Sequence, residues 1–329
     1  MRSYGDPDSR SLPRHMRVLA TVGGAMQRLH LAASMHDTIT KQSHTVRQAA
    51  HPGWWMTYRV DPTVALAEHR VGGRGGPIRV RTYRPANASA NAPIVYYIHG
   101  GGFMVGGIEA CAWICGEVAA QTGAVVAAVE YRLAPEHPFP AGLEDCRDVL
   151  NWISEGSIDG TDPSRIAVAG DSAGGNLSAV LCLEVRDTNG PAITHQTLIY
   201  PFIDTTLSGQ SWRDFADSGV DVGSGELMIA AYAGAERDNP LVNPLRAADL
   251  SGLPPALVVN ADHDVLRDDG FTYAGALRAA GNEVRHTNYI RVPHGVLSMP
   301  RLLPVARQII AEICSEIRRH LTAEVGVRR

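Results

Sequence analysis

Arg165-Ile166-Ala167-Val168-Ala169-Gly170-Asp171-Ser172-Ala173-Gly174-Gly175-Asn176-Leu177 is the stretch that decides the fold. It begins as a short apolar run of the kind that forms a buried strand, then meets a Gly-x-Ser-x-Gly turn. From Ala173 to Val185 the chain is mostly apolar and reads as a helix. A strand, a sharp turn and a helix would lift Ser172 clear of the fold. A serine hydroxyl needs that freedom, because it is a weak nucleophile until a neighbouring base takes its proton. So tight a turn crowds the backbone, and any side chain at Gly170 or Gly174 is expected to collide with the adjoining strand or helix. Ser172 also opens a helix, where free N–H groups and the helix dipole favour developing negative charge.

About seventy residues upstream stands His99-Gly100-Gly101-Gly102, directly after the strand-like Pro93-Ile94-Val95-Tyr96-Tyr97-Ile98. Glycines let a loop approach a substrate carbonyl and aim bare N–H groups at the oxygen that gains charge. The expected donors are the N–H groups of Gly101, Gly102 and Ala173. A glycine-rich turn without chemistry is the plain alternative, and the serine turn downstream weighs against it. Gly-x-Ser-x-Gly alone would arise by chance about 0.2 times in a chain of this composition. The two strings in this order are far more specific than either, and they point to serine-dependent acyl transfer.

A base and an orienting acid should follow, in the order serine, acid, histidine. Pro255-Ala256-Leu257-Val258-Val259-Asn260 reads as a strand and leads into a loop holding Asp262, Asp264, Asp268 and Asp269. Gly270 to Ala280 reads as a helix closed by Gly281, and Glu283 to Ile290 as the next strand, which leads to His294. Acid and base would then both lie at the carboxyl edge of a parallel sheet, beside the serine. Asp268 and Asp269 fall in a first helical turn, where carboxylates commonly serve the dipole. Among the histidines, His294 has the right position, whereas His286 lies within a strand, His263 beside the acids and His137 in a proline-rich stretch.

The chain resembles the bacterial hormone-sensitive-lipase-like esterases of the α/β-hydrolase superfamily. The matching residues are His99 to Phe103, Glu130-Tyr131-Arg132-Leu133-Ala134-Pro135-Glu136-His137-Pro138-Phe139-Pro140-Ala141, Gly170 to Leu177, Asp264 to Asp268 and His294-Gly295. The resemblance runs from about residue 65 to the C-terminus. It selects Asp264 as the acid of a Ser172–Asp264–His294 triad, and implies esters with short to medium acyl chains as substrates. Arg132 and Glu136 are expected to brace the glycine loop, and Asp171 the serine turn. Val265 stands where the family usually has proline and Val296 where it often has an aromatic. Phe103, Trp212 and Val296 are the candidate substrate-pocket residues. Homodimerisation is a further expectation from the resemblance.

The wider composition agrees with a mostly parallel α/β sheet flanked by helices and covered by a helical cap. Residues 1–60 are read as an N-terminal helical segment contributing to the cap, with Met26, Leu29 and Leu31 on amphipathic stretches and Trp54-Trp55 following. Residues 61–201 and 250–329 form the catalytic domain. Residues 202–249 break the strand–helix rhythm and read as a cap insertion. Its Trp212, Phe215, Leu227, Met228 and Tyr232 suit either a pocket lining or a small core of the cap itself.

A net charge of −4 with scattered basic residues leaves no nucleic-acid footprint. No apolar run is long enough for a membrane span, and no secretory signal is visible. Five cysteines, with Cys111 and Cys115 at helical spacing, read as buried reduced thiols in a cytoplasmic protein rather than as metal ligands. No cofactor and no metal are expected. Two other functions share the fold: amide or peptide hydrolysis, and binding of a small molecule without turnover. Plant gibberellin receptors resemble the family in the second way but lack the histidine that His294 supplies here.

Overall fold

The computed structural model describes residues 56–216, 218 and 220–322. The readings placed on Met26, Leu29, Leu31 and Trp54-Trp55 lie outside those residues. Eight strands form one sheet in the order β1-β2-β4-β3-β5-β6-β7-β8. They are β1 (Val64–Gly73), β2 (Gly76–Pro85), β3 (Ala92–Ile98), β4 (Val125–Glu130), β5 (Thr161–Asp171), β6 (His195–Ile199), β7 (Ala256–His263) and β8 (Val284–Pro293). The β1–β2 and β2–β4 pairings are antiparallel and every other pairing is parallel.

The central strands carry apolar residues on both faces, as a sheet covered on both sides demands. Ile94, Tyr96 and Ile98 of β3 belong to one core, while Val95 and Tyr97 belong to the other. That split follows from the two-residue period of a strand. Helices α1 (Ala112–Thr122), α2 (Ala141–Ser154) and α3 (Ala173–Thr188) follow β3, β4 and β5 in turn. Leu143 and Val149 of α2 and Leu177 and Leu181 of α3 pack on the first face. Trp113 and Ile114 of α1 cover the second. They are joined there by α7 (Val305–Thr322), whose Ala306, Ile309, Ile310, Ile313, Ile317 and Leu321 recur at three- and four-residue steps. Each such large side chain, fully withdrawn from water, contributes about 1.5–3 kcal/mol.

After β3 the chain moves to β4 on one side; after β5 it moves to β6, β7 and β8 on the other. The adjacent carboxyl ends of β3 and β5 therefore mark the point where the winding reverses. That is where open α/β sheets leave a crevice for ligands.

Between β6 and β7 lie the short helix α4 (Ser211–Asp214), α5 (Val222–Tyr232) and two 3₁₀ turns, Gly234–Asp238 and Pro244–Arg246. This segment is tied to α3 by Asn176, whose side-chain amide donates to Phe202 O (2.7 Å) and Val242 O (2.9 Å). Trp212, Phe215 and Tyr232 are buried in its interior, and a side chain at Gly225 would press on the Trp212 ring. Helix α6 (Arg267–Ala279) joins β7 to β8, with Asp268 and Asp269 in its first turn.

Candidate active site

Ser172 has φ 55° and ψ −119°, a conformation that side chains rarely adopt. Strain of this kind costs about 1–3 kcal/mol and persists only where the surroundings enforce it. Here Ser172 N–H donates to Ile199 O (2.9 Å), and Ser172 O accepts from Asn176 N (3.1 Å) and Phe202 N (3.1 Å). The turn is as crowded as the motif predicts. A Cβ at Gly170 would lie 2.6 Å from Ser178 Oγ, and one at Gly174 would lie 2.6 Å from His99 O.

The loop after β8 brings His294 to the serine. Its Nε2 is 3.1 Å from Ser172 Oγ and its Nδ1 is 2.7 Å from Asp264 Oδ2. The carboxylate accepts the Nδ1 proton, so the neutral ring presents its Nε2 lone pair to the serine hydroxyl. Asp264 is fully buried, and its other oxygen accepts from Leu266 N (2.9 Å). Burial pulls the His294 pKa down, but the charge and hydrogen bond of Asp264, with the charge of Asp171, outweigh it, and the net shift is upward from 6.5. Tyr200, directly after β6, meets the imidazole edge-on at 4.9 Å between ring centres. Sequence reasoning missed this contact; the turn signal Tyr200-Pro201 after an apolar strand was its only trace.

The other three acids are engaged elsewhere. Asp262 accepts from Asn288 Nδ2 (3.0 Å), Asp268 from Ser211 N (2.9 Å), and Asp269 from Ile203 N (2.9 Å) and Asp204 N (2.8 Å). Among the histidines, His286 packs on Phe271 and His263 on Phe215.

In the glycine loop Gly101 has φ 123° and Gly102 φ 59°, the left-handed range in which glycine is unstrained. The N–H groups of Gly101, Gly102 and Ala173 donate to no described residue, whereas the neighbouring Gly100 N–H is taken by Asp171 (3.0 Å). His99 is a structural residue: it stacks on Tyr131, and burial lowers its pKa to about 4, so it is neutral. Arg132 pairs with Asp145 (2.9 Å) and Glu144 (3.5 Å) of α2. The loop itself is held by Tyr131 Oη donating to His99 O (3.0 Å) and Ala134 N donating to Phe103 O (2.9 Å).

Phe103, Trp212 and Val296, the expected pocket residues, are 1%, 1% and 0% exposed and packed into the interior. Phe103 stacks on Tyr232 at 3.9 Å. The sequence placed an apolar residue correctly at each position, but periodicity does not say which apolar residues face a cavity. Met228 of α5, half-buried, also reaches the glycine loop: a Cβ at Gly102 would lie 2.7 Å from its sulfur. All five cysteines are free and buried, with the Cys111 and Cys115 sulfurs 3.8 Å apart. Among the described residues, no group of three His, Cys, Asp or Glu could hold a metal ion, and no helix is long and apolar enough to cross a membrane.

The family model for the alpha/beta hydrolase fold matches residues 95–298. The chain belongs to the α/β-hydrolase fold family. It is 40% identical over 270 residues to a carboxylesterase of Mycobacterium tuberculosis, NlhH, covering 80% of this chain and 85% of that one. An arylesterase of Saccharolobus solfataricus is 32% identical over 293 residues, covering 87% of this chain and 93% of that one. Among solved structures, an ester hydrolase from the Lake Arreo metagenome, complexed with a bipyridine phosphonate derivative, superposes with a TM-score of 0.83. It is 32% identical, and the match covers 94% of this chain and 99% of that one. The α/β-hydrolase fold is thus shared with proteins named as esterases.

Proposed function

We propose that this α/β hydrolase is a serine carboxylesterase acting on short- to medium-chain acyl esters. The observation that carries the reading is the chain of contacts from Ser172 Oγ through His294 (3.1 Å) to buried Asp264 (2.7 Å). It is supported by the relatives named as carboxylesterase and arylesterase.

In the first half-reaction His294 Nε2 takes the hydroxyl proton as Ser172 Oγ attacks the ester carbonyl. The N–H groups of Gly101, Gly102 and Ala173 stabilise the tetrahedral oxyanion; one such donor is worth about 10²–10³ in turnover. His294 then passes the proton to the leaving alkoxide, which departs as the alcohol and leaves acyl-Ser172. In the second half a water gives its proton to His294, attacks the acyl group and releases the carboxylic acid, and Ser172 regains its proton. Asp264 holds the ring and stabilises the imidazolium without accepting its proton.

The segment between β6 and β7 acts as the cap in this reading, with Met228 set against Gly102. Assayed with p-nitrophenyl esters from acetate to palmitate, the enzyme is expected to be fastest on chains of about two to eight carbons, since an apolar pocket discriminates by methylene fit. A maximum at palmitate would overturn the substrate class, and turnover of anilides alone would overturn ester hydrolysis.

The base must be neutral to accept a proton. Because the net shift of His294 is upward from 6.5, kcat/KM is expected to fall with acid through a midpoint above 6.5. A profile flat from about pH 5 to 8 would remove His294 from the role of base.

A further inference from the structure

Strand β6 lies between β5, which leads to Ser172, and β7, which leads to Asp264. It ends at Ile199, and Tyr200-Pro201-Phe202 then leave the sheet. The two ends of this segment hold the serine by its backbone: Ile199 O accepts from Ser172 N (2.9 Å), and Phe202 N donates to Ser172 O (3.1 Å). Between them, Tyr200 N–H donates to Val259 O of β7 (2.6 Å). The buried Tyr200 ring meets His294 at 4.9 Å between centres, with 65° between the ring planes. Four consecutive residues are thus bonded to the nucleophile, bonded to the strand of the acid and packed on the base.

Tyr200 has φ 34°, a left-handed value uncommon for a residue with a side chain. Such a conformation persists only where the surroundings enforce it. Its consequence is visible in the packing. Leu198 and Ile199 fall in opposite cores, as strand alternation requires, but Tyr200 shares the core of Ile199 with Val296 and Leu297 of the His294 loop. The kink after β6 is therefore what aims the ring at that loop.

We propose that Tyr200 is a positioning residue for the base: its ring stops the His294 imidazole from turning out of line between Ser172 and Asp264. The proposal rests on the reading of Ser172, Asp264 and His294 as the reacting set. The ring acts here, and the hydroxyl does not. Burial holds the hydroxyl protonated, and although the Leu297 N–H lies near it, no hydrogen bond of good geometry forms. With the ring removed, the imidazole gains room to swing, and a misplacement of about 1 Å can cost about 10² in rate.

The test compares wild type, Tyr200→Phe, Tyr200→Leu, Tyr200→Met and Ser172→Ala on p-nitrophenyl butyrate. Values of kcat and KM are taken well below the melting temperature of each variant, against wild type at the same temperature. Tyr200→Leu keeps an apolar side chain but removes the ring. Its kcat is expected to fall about tenfold or more while KM changes less than about threefold, because the base acts in the transition state. Tyr200→Phe restores the ring without the hydroxyl and should keep at least about a third of wild-type kcat. A purely structural role would lower the melting temperature of the Leu variant and leave the kcat of its folded molecules near wild type. A folded Leu variant within about tenfold of wild-type kcat, or a Phe variant as impaired as the Leu variant, would overturn the proposal. If the Leu variant does not fold, Tyr200→Met, whose flexible chain refills the space without a ring, is read by the same criteria. Turnover retained by Ser172→Ala would instead reject the reading of the site. A dead Ser172→Ala beside a fully active Leu variant rejects only the present inference.

Discussion

Ser172→Ala is expected to lower kcat by about 10⁶, the scale seen when a nucleophile that works as a unit with its base is removed. No neighbouring group can take its place. The described hydroxyl nearest in the motif, Ser178, is buried on α3 and donates to Gly174 O (2.8 Å). The fold should be untouched: Ser172 is held by its backbone, through Ile199, Asn176 and Phe202, and alanine keeps all three hydrogen bonds. The melting temperature should therefore stay within about 2 °C of wild type. The check is a stopped or continuous assay on a short p-nitrophenyl ester with a parallel thermal melt. More than about a thousandth of wild-type kcat from a folded, uncontaminated variant would exclude Ser172 as the nucleophile.

Asp264→Asn is the second large effect, and it works through a proton rather than a missing atom. The asparagine fits, and its oxygen can still accept from Leu266 N, as the Asp264 Oδ1 does at 2.9 Å. That orientation points the NH₂ group at His294 Nδ1. The ring must then carry its proton on Nε2, facing Ser172, and it loses the lone pair that accepts the hydroxyl proton. A loss of about 10⁴ in kcat with little change in KM is expected, by analogy with the same exchange in a serine protease. Binding is spared because Asp264 is fully buried and touches no substrate. A variant retaining a tenth of wild-type kcat would show that one of the neighbouring acids orients His294 instead.

Much of this site can be read in the linear chain because its demands are local. Gly170 must be glycine for a reason contained in five residues, since a Cβ there would strike the Gly174 backbone, whereas Gly174 is crowded by the carbonyls of Ile98 and His99 at the end of β3. The glycine loop is similar, since positive φ at Gly101 and Gly102 is a property of the loop itself. Strand and helix spacing likewise placed the loops after β7 and β8 at one edge of the sheet. The choice of Asp264 over Asp262, Asp268 and Asp269 came from family resemblance, because four carboxylates within eight residues look alike until their partners are known.

Less legible was whatever depends on which side of an element meets which neighbour. The resemblance implied a bracing role for Arg132, and it is α2 that supplies Asp145, almost wholly buried, at 2.9 Å from the guanidinium. Trp212 and Phe103 were placed at the pocket because large apolar residues suit both a cavity wall and a core. Only packing against Gly225, Phe202 and Tyr232 assigns them to the core.

By itself the sequence determined the strand–helix alternation, the Gly-x-Ser-x-Gly turn, the glycine loop and the loops that carry Asp264 and His294. Each depends on backbone conformation or residue periodicity over a short span. The tertiary structure alone decided that Asp264 reaches His294, that Tyr200 meets the imidazole edge, that Met228 approaches Gly102 and that Asp171 fastens the glycine loop. These are contacts between segments far apart in sequence, and a contact of a few ångströms is set by how layers pack rather than by any pattern along one strand.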